Sequence, residues 1–179
     1  MTMFETDLSG IRLLVLDVDG VMTDGRIRMD AEGRETKVFH VTDGAGMKYW
    51  QRVGREIAII SGRDAPATAH RAQELGVRHL RQGVKVKLPV YESILAELGL
   101  KPEQTAVMGD DLPDLPLLRR CGFAIAPANA VAEVRAEAEL VTERCGGAGA
   151  VREAIEFILR RTGDWETVMR RYDLGREAP

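Results

Sequence analysis

The sequence predicts an α/β fold: a doubly wound parallel sheet in a three-layer, Rossmann-like sandwich, with a β-hairpin flap and no cap domain. Three observations predict it. Apolar runs without polar alternation recur along the chain, as in strands covered on both faces. Amphipathic helical patterns lie between them, so right-handed βαβ crossovers follow. Acids, a hydroxyl and a lysine stand just past these runs or at helix starts, the side on which open α/β sheets bind ligands. With 179 residues, the chain has room for one well-buried domain spanning 1–179 and a short appendage.

The first run, Ile11 to Leu16, is broken only by Arg12 and stops in Asp17-Val18-Asp19-Gly20-Val21-Met22-Thr23-Asp24-Gly25. Its glycines allow sharp turns and close approach of the backbone to a ligand. Arg26 to Asp30 and Thr36 to His40 alternate on either side of a turn containing Gly33, which reads as a hairpin over about 26–40. Asp43-Gly44-Ala45-Gly46 leads into a helix from Met47 to Val53, closed by Gly54.

Glu56 to Ile60 is the second buried strand and ends in Ser61-Gly62-Arg63. A helix from Ala67 to Leu75 stops at Gly76, Val77 to Leu80 is a short third strand, and Lys87 opens a helix with Val90, Ile94, Leu95 and Leu98 on its apolar face. Thr105 to Met108 is the fourth strand, delivering Gly109-Asp110-Asp111-Leu112-Pro113-Asp114. A short helix, Leu115 to Arg120, follows that acidic loop. Gly122 to Ala126 and Glu139 to Thr142 are strand-like around a helix from Val131 to Ala138, and the helix Ala150 to Arg161 follows the glycine-rich stretch 146–149. The tail, about 163–179, is amphipathic at first and then polar.

Composition excludes several classes. The chain is 45% hydrophobic and 30% charged with a net charge of −3, lacking the basic excess of a nucleic-acid binder. No window approaches a membrane span, and Met1 to Gly10 lacks an apolar segment of signal-peptide length. Cys121 and Cys145 have no metal-ligand spacing and read as buried free thiols in a reducing compartment, so a cytoplasmic protein without nucleic-acid or membrane partners is expected.

The chemistry lies in a conjunction. Asp17 with Asp19, Ser61, Lys87, and Asp110 with Asp111 and Asp114 come from four separate strand ends or helix starts. Carboxylates crowded on one rim repel one another unless a cation is present, and hard oxygen ligands suit Mg2+. Lys87 and Ser61 have the donors to hold phosphate oxygens. Phosphoryl transfer needs this set: a nucleophile, a cation and donors to the equatorial oxygens.

Asp17 to Gly25, Ile59-Ile60-Ser61-Gly62-Arg63, Lys87 and Gly109 to Asp114 resemble, in that order, the four motifs of the haloacid dehalogenase superfamily of phosphatases, over about residues 8–162. The resemblance implies that Asp17 attacks phosphorus, that Asp19 protonates the leaving alcohol and then activates water, and that Ser61 and Lys87 hold the phosphoryl group. It also implies magnesium bound by Asp17, Asp110 and the Asp19 carbonyl, with Asp111 and Asp114 in support.

The stretches Lys37 to Lys48, Arg63 with Arg71, Arg81 to Lys87 and Gly146 to Glu153 are similar to the capless branch that acts on phosphate esters of 3-deoxy-2-keto sugar acids. That similarity implies hydrolysis of the eight-carbon octulosonate 8-phosphate, on the route to lipopolysaccharide, or of a nine-carbon nonulosonate 9-phosphate. It further implies a homotetramer whose neighbouring subunits close each site, with Asp19, His40, Val41, Thr42, Asp43, Gly44, Lys48, Arg63, Arg71 and Lys87 touching the substrate. His40 stands where Asn or a small polar residue is expected, Lys48 where Arg is common, and Ala148 where a basic residue often lies.

Two other classes are weighed against an enzyme. A non-catalytic oligomerisation domain of this fold, as appended to some sugar-activating synthetases, need not keep Asp17, Asp19, Lys87 and Asp110 together. A phospho-receiver domain also groups acids, a hydroxyl and a lysine, but has no acidic cluster after the lysine such as Asp110 to Asp114.

Overall fold

The structure, a computed structural model, describes residues 7–173. Its elements run β1 (Leu13–Leu16), β2 (Arg28–Met29), β3 (Glu35–Thr36), α1 (Val41–Arg52), β4 (Glu56–Ile60), α2 (Pro66–Leu75), β5 (His79–Arg81) and α3 (Lys87–Leu98). Then come β6 (Thr105–Met108), α4 (Leu115–Leu118), β7 (Phe123–Ala126), α5 (Ala132–Glu137), β8 (Leu140–Val141), α6 (Ala150–Arg161) and α7 (Trp165–Met169).

Six strands form one parallel sheet in the order β5-β4-β1-β6-β7-β8, with β2 and β3 apart as the hairpin. The chain winds from β1 to one edge, then returns to place β6 on the other flank of β1. The carboxyl ends of β1 and β6 therefore meet at the switch point of the sheet, where side chains can converge from both halves.

The strands lack polar alternation because both of their faces are covered. Leu14, Leu16, Ile57, Ile59, Ala106 and Met108 pack in the layer formed with α1 and α6. Leu13, Val15, Ala58, Ile60 and Val107 pack in the other layer, with Tyr91, Ile94 and Leu95 of α3. Successive side chains of a strand point to opposite faces, so each strand must be apolar at every position to serve two layers.

Several local expectations are corrected. α1 begins at Val41 rather than Met47, because Gly44 and Gly46 lie where α1 is crowded by Arg71 and Arg152; close packing outweighs the roughly 1 kcal/mol helix cost of each glycine. The hairpin strands are only two residues each, since the chain leaves the ladder after Thr36 and turns Lys37 inward to Asp19. Cys121 and Cys145 are free thiols as expected, but neither is fully buried: Cys145 is exposed and Cys121 half-buried. In the tail, α7 buries Val168, and Tyr172 stacks edge-on to Tyr49; 174–179 lie outside the described residues. Among the described residues no helix is long and apolar enough to cross a membrane.

Candidate active site

A cavity of about 470 Å³ opens at the switch point, lined among others by Asp17, Asp19, Arg63, Lys87, Asp110 and Asp114. A larger hollow, about 540 Å³, lies beside α6, but its arginines alternate with glutamates and it holds none of these acids. The chemistry directs attention to the first.

At its base is a buried node. Lys87 Nζ, at the first turn of α3, donates to Asp17 Oδ1 at 2.7 Å and to Asp114 Oδ1 at 2.6 Å. Asp114 Oδ2 in turn accepts from the Asp110 backbone N–H at 3.1 Å. Asp17, Asp110 and Asp114 each present an oxygen within 4.8 Å of the others. Burial pushes the Asp17 carboxyl up to about 6, with Lys87 pulling the other way and Asp114 adding to the rise. Burial likewise lifts Asp110 to about 8, helped by Asp17, Asp114 and Asp111. Burial also works against the Lys87 charge, yet Asp17 and Asp114 outweigh it and hold its ammonium above the ordinary range.

Asp110 lacks the partner its position demands. Its Oδ1 is buried with no hydrogen bond, while its carboxylate presses on Gly20, where an added Cβ would come 2.0 Å from Asp110 Oδ2. Gly20 has φ +94°, so only glycine fits the turn and leaves space for the acid. An unsatisfied buried carboxylate among hard oxygen donors fits a divalent cation of the magnesium type. Asp114 is already engaged by Lys87 and the Asp110 N–H, which makes it a support. Asp111 is exposed, and its carboxylate accepts from Leu112 N–H at 2.8 Å, capping the turn that follows.

A second ionic group stands above the node. Asp19 Oδ1 is held by Lys37 Nζ, whose side chain is 3% exposed and also pairs with Glu35 at 2.9 Å. Arg63 Nη2 donates to Glu35 Oε2 at 2.6 Å, and its Nε stands 3.8 Å from Asp19 Oδ2. Burial opposes the Lys37 charge, but its hydrogen bonds to Asp19 and Glu35 hold the ammonium above the usual lysine range. Ser61 is buried at the end of β4, its Oγ accepting from Arg63 N–H at 3.2 Å.

The remaining expected substrate contacts do not join this cavity within one chain. Within the chain Asp43 is buried, and its carboxylate accepts from Arg152 N–H at 2.8 Å and Gly149 N–H at 3.3 Å, at the start of α6. Gly44 is buried beneath Arg71. Lys48 is exposed, its Nζ beside Gly76. His40 precedes α1 and shares a 2.7 Å contact with Thr42 Oγ1, while Val41 and Arg71 line a neighbouring hollow with Lys37 and Phe39. The glycine-rich stretch is brought close by backbone: Gly147 N–H donates to Val21 O at 3.0 Å, and Asn129 Oδ1 holds Gly146 N–H at 2.7 Å.

Sequence reasoning missed Glu35 and Lys37 as site residues. The strand pattern gave no signal for the pair, because Lys37 lies beyond the ladder that holds Glu35. Asn129 had no signal beyond its place after β7.

Known proteins bear on this geometry. The profile of the haloacid dehalogenase-like hydrolases matches residues 80–155. The 3-deoxy-D-manno-octulosonate 8-phosphate phosphatase of Yersinia pestis is 45% identical over 151 residues, 84% of this chain and 81% of the relative. The chain belongs to the 3-deoxy-D-manno-octulosonate 8-phosphate phosphatase family of haloacid dehalogenase-like hydrolases. Solved members of this family superpose closely. A Pseudomonas syringae phosphatase of the YrbI family is 46% identical with a TM-score of 0.92, covering 94% of this chain and 96% of its own. The Moraxella catarrhalis phosphatase, solved with a magnesium ion, a phosphate ion and a KDO molecule, is 38% identical with a TM-score of 0.90, covering 92% and 95%.

Proposed function

We propose that this protein is a magnesium-dependent phosphoric monoester hydrolase that releases phosphate from 3-deoxy-D-manno-octulosonate 8-phosphate in the cytoplasm, in lipopolysaccharide precursor synthesis. The observation that carries the reading is the buried node of Asp17, Lys87, Asp110 and Asp114 beside Asp19 in a member of this family.

Asp17 is the nucleophile. Even with its carboxyl raised to about 6, it is mostly ionised at neutral pH; Lys87 fixes one of its oxygens, and the carboxyl lines the cavity. That oxygen forms a bond to phosphorus as the ester P–O bond breaks, and Asp19 gives its proton to the departing alkoxide. Water then attacks the aspartyl-phosphate, loses a proton to Asp19, and the Asp17 carboxylate leaves as phosphate is released. Lys87 and the Ser61 hydroxyl balance charge on the transferring oxygens. Asp17, Asp110 and the Asp19 carbonyl, with Asp111 and Asp114 in support, would hold magnesium, which would supply the positive charge that the neighbouring carboxylates and a phosphate require.

The chain works as a homotetramer. Ile27, Met29, Val38 and Val41 are exposed on the hairpin and the start of α1, an apolar strip that supports burial against neighbouring copies. In that assembly His40, Val41, Thr42, Arg63 and Arg71 make the sugar-acid contacts.

The test is a panel of sugar phosphates assayed with added magnesium. A kcat/KM highest for the octulosonate ester supports the reading, a preference for a nonulosonate 9-phosphate replaces the substrate, and equal slow turnover of both overturns the assignment. A monomeric solution mass would overturn the tetramer.

A further inference from the structure

The hairpin carries a pair of charges that the family chemistry of Asp17, Asp110 and Lys87 does not use. Lys37 lies just beyond β3, yet its side chain is almost wholly buried and its Nζ is shared between Asp19 Oδ1 and Glu35 Oε1. Glu35 is anchored on its other oxygen by Arg63 Nη2. Asp19, Lys37, Glu35 and Arg63 thus form a run of alternating acids and cations, and the two carboxyl groups on either side of Lys37 give its buried ammonium its partners.

The run treats the two oxygens of Asp19 differently. Oδ1 is taken by Lys37. Oδ2 has no hydrogen bond among the described residues, and Arg63 Nε stands 3.8 Å from it, itself buried without a hydrogen-bond partner. A proton-transfer group needs one free oxygen aimed at the reacting atom and the rest of the carboxyl immobilised.

We propose that Lys37, braced by Glu35 and Arg63, is the positioning residue for Asp19: it pins Oδ1 and leaves Oδ2 as the oxygen that gives and takes the proton. The inference rests on the acid/base role proposed for Asp19. Its physical consequence is that the flap is part of the catalytic apparatus within its own chain. Lys37 is fixed by β3, and the seating of the two-residue ladder therefore sets where the Asp19 carboxyl points. Lys37 does not touch the reacting atoms. It acts through Asp19 alone.

The experiment compares two leaving groups in single turnovers of the magnesium-loaded enzyme. A sugar alkoxide needs a proton to depart, whereas p-nitrophenolate departs without one. In Lys37→Met the single-turnover rate on the octulosonate ester falls by about 10- to 100-fold while KM moves by less than about threefold, and p-nitrophenol release from p-nitrophenyl phosphate changes by less than about twofold. Lys37→Arg restores part of the sugar-ester rate. Glu35→Gln, which keeps the Asp19 contact and removes its brace, shows the same selectivity at smaller size and serves if Lys37→Met fails to fold. An equal loss on both substrates, or no loss on either, overturns the inference. Asp19→Asn separates the two levels: if it keeps the sugar-ester rate, the acid/base role itself falls, and if it loses that rate while Lys37→Met keeps it, only the positioning role falls.

Discussion

Two lysines meet the two acids that follow β1, and they reach them by different routes. Lys87 comes from the start of α3, beneath the sheet end, and binds Asp17 and Asp114, both almost inaccessible to solvent. Lys37 comes from the hairpin and binds Asp19 and Glu35, whose carboxylates are more open, with a 40% exposed Arg63 completing the group. The lower group is built from regular elements packed on both core layers. The upper one is built from an irregular segment that has left a two-residue ladder. Buried charge in the first is held by the core. In the second it is held mainly by the charges themselves.

This difference ranks the expected effects. Asp17→Asn removes the proposed nucleophile and should lower kcat by about 10⁴-fold or more, measured by phosphate release with magnesium; unchanged turnover would end the catalytic reading. Lys87→Met should abolish most activity and also destabilise the fold, by about 3–5 kcal/mol in urea unfolding at neutral pH, since it strands two buried carboxylates.

Magnesium addition should discriminate the groups by pH. The folded Asp110 carboxyl is raised to about 8 from an ordinary value near 3.8, so between these values the folded chain binds a proton that the unfolded chain has lost. The metal-free protein therefore loses this group's contribution to stability as pH rises from about 4 to 8. Magnesium must displace that proton, so the rise in Tm on adding it should be larger at pH 8 than at pH 6. A larger rise at pH 6 would contradict Asp110 as ligand. The smallest expected effect is Glu35→Gln on stability, at most about 1 kcal/mol by the same urea titration, because its partner Arg63 is substantially hydrated and its buried partner Lys37 keeps the Asp19 carboxyl. If Glu35→Gln and Lys87→Met cost the fold equally, the contrast between the two groups would be broken.

The legible parts of the molecule were those with a period or a punctuated end. The bounds of β4 and β6 agree with their apolar runs, and α6 runs from Ala150 to Arg161 as its amphipathic pattern predicts. Asp17, Lys87 and Asp110 were legible because each stands at such an end, and position in an α/β sheet then implies convergence. Asp43 was named only through the family resemblance, and its partners within the chain, backbone N–H groups more than a hundred positions away, could not be read from its neighbours in sequence. Glu35 was read as part of the hairpin turn and Lys37 as part of its second strand, and neither reading says which side chain will turn toward Asp19.

What the sequence determined by itself is the layered sheet and the set of acids at its carboxyl end, because strand period and helix period are local properties and alternating strands and helices wind into a parallel sheet. Only the tertiary structure decided which charge pairs with which: that Lys87 serves Asp17 and Asp114, that Lys37 serves Asp19, and that Asp110 keeps an unsatisfied oxygen. Such pairings depend on distances of a few ångströms between segments far apart in the chain, and the free energy of a buried charge is set by those distances rather than by its neighbours in sequence.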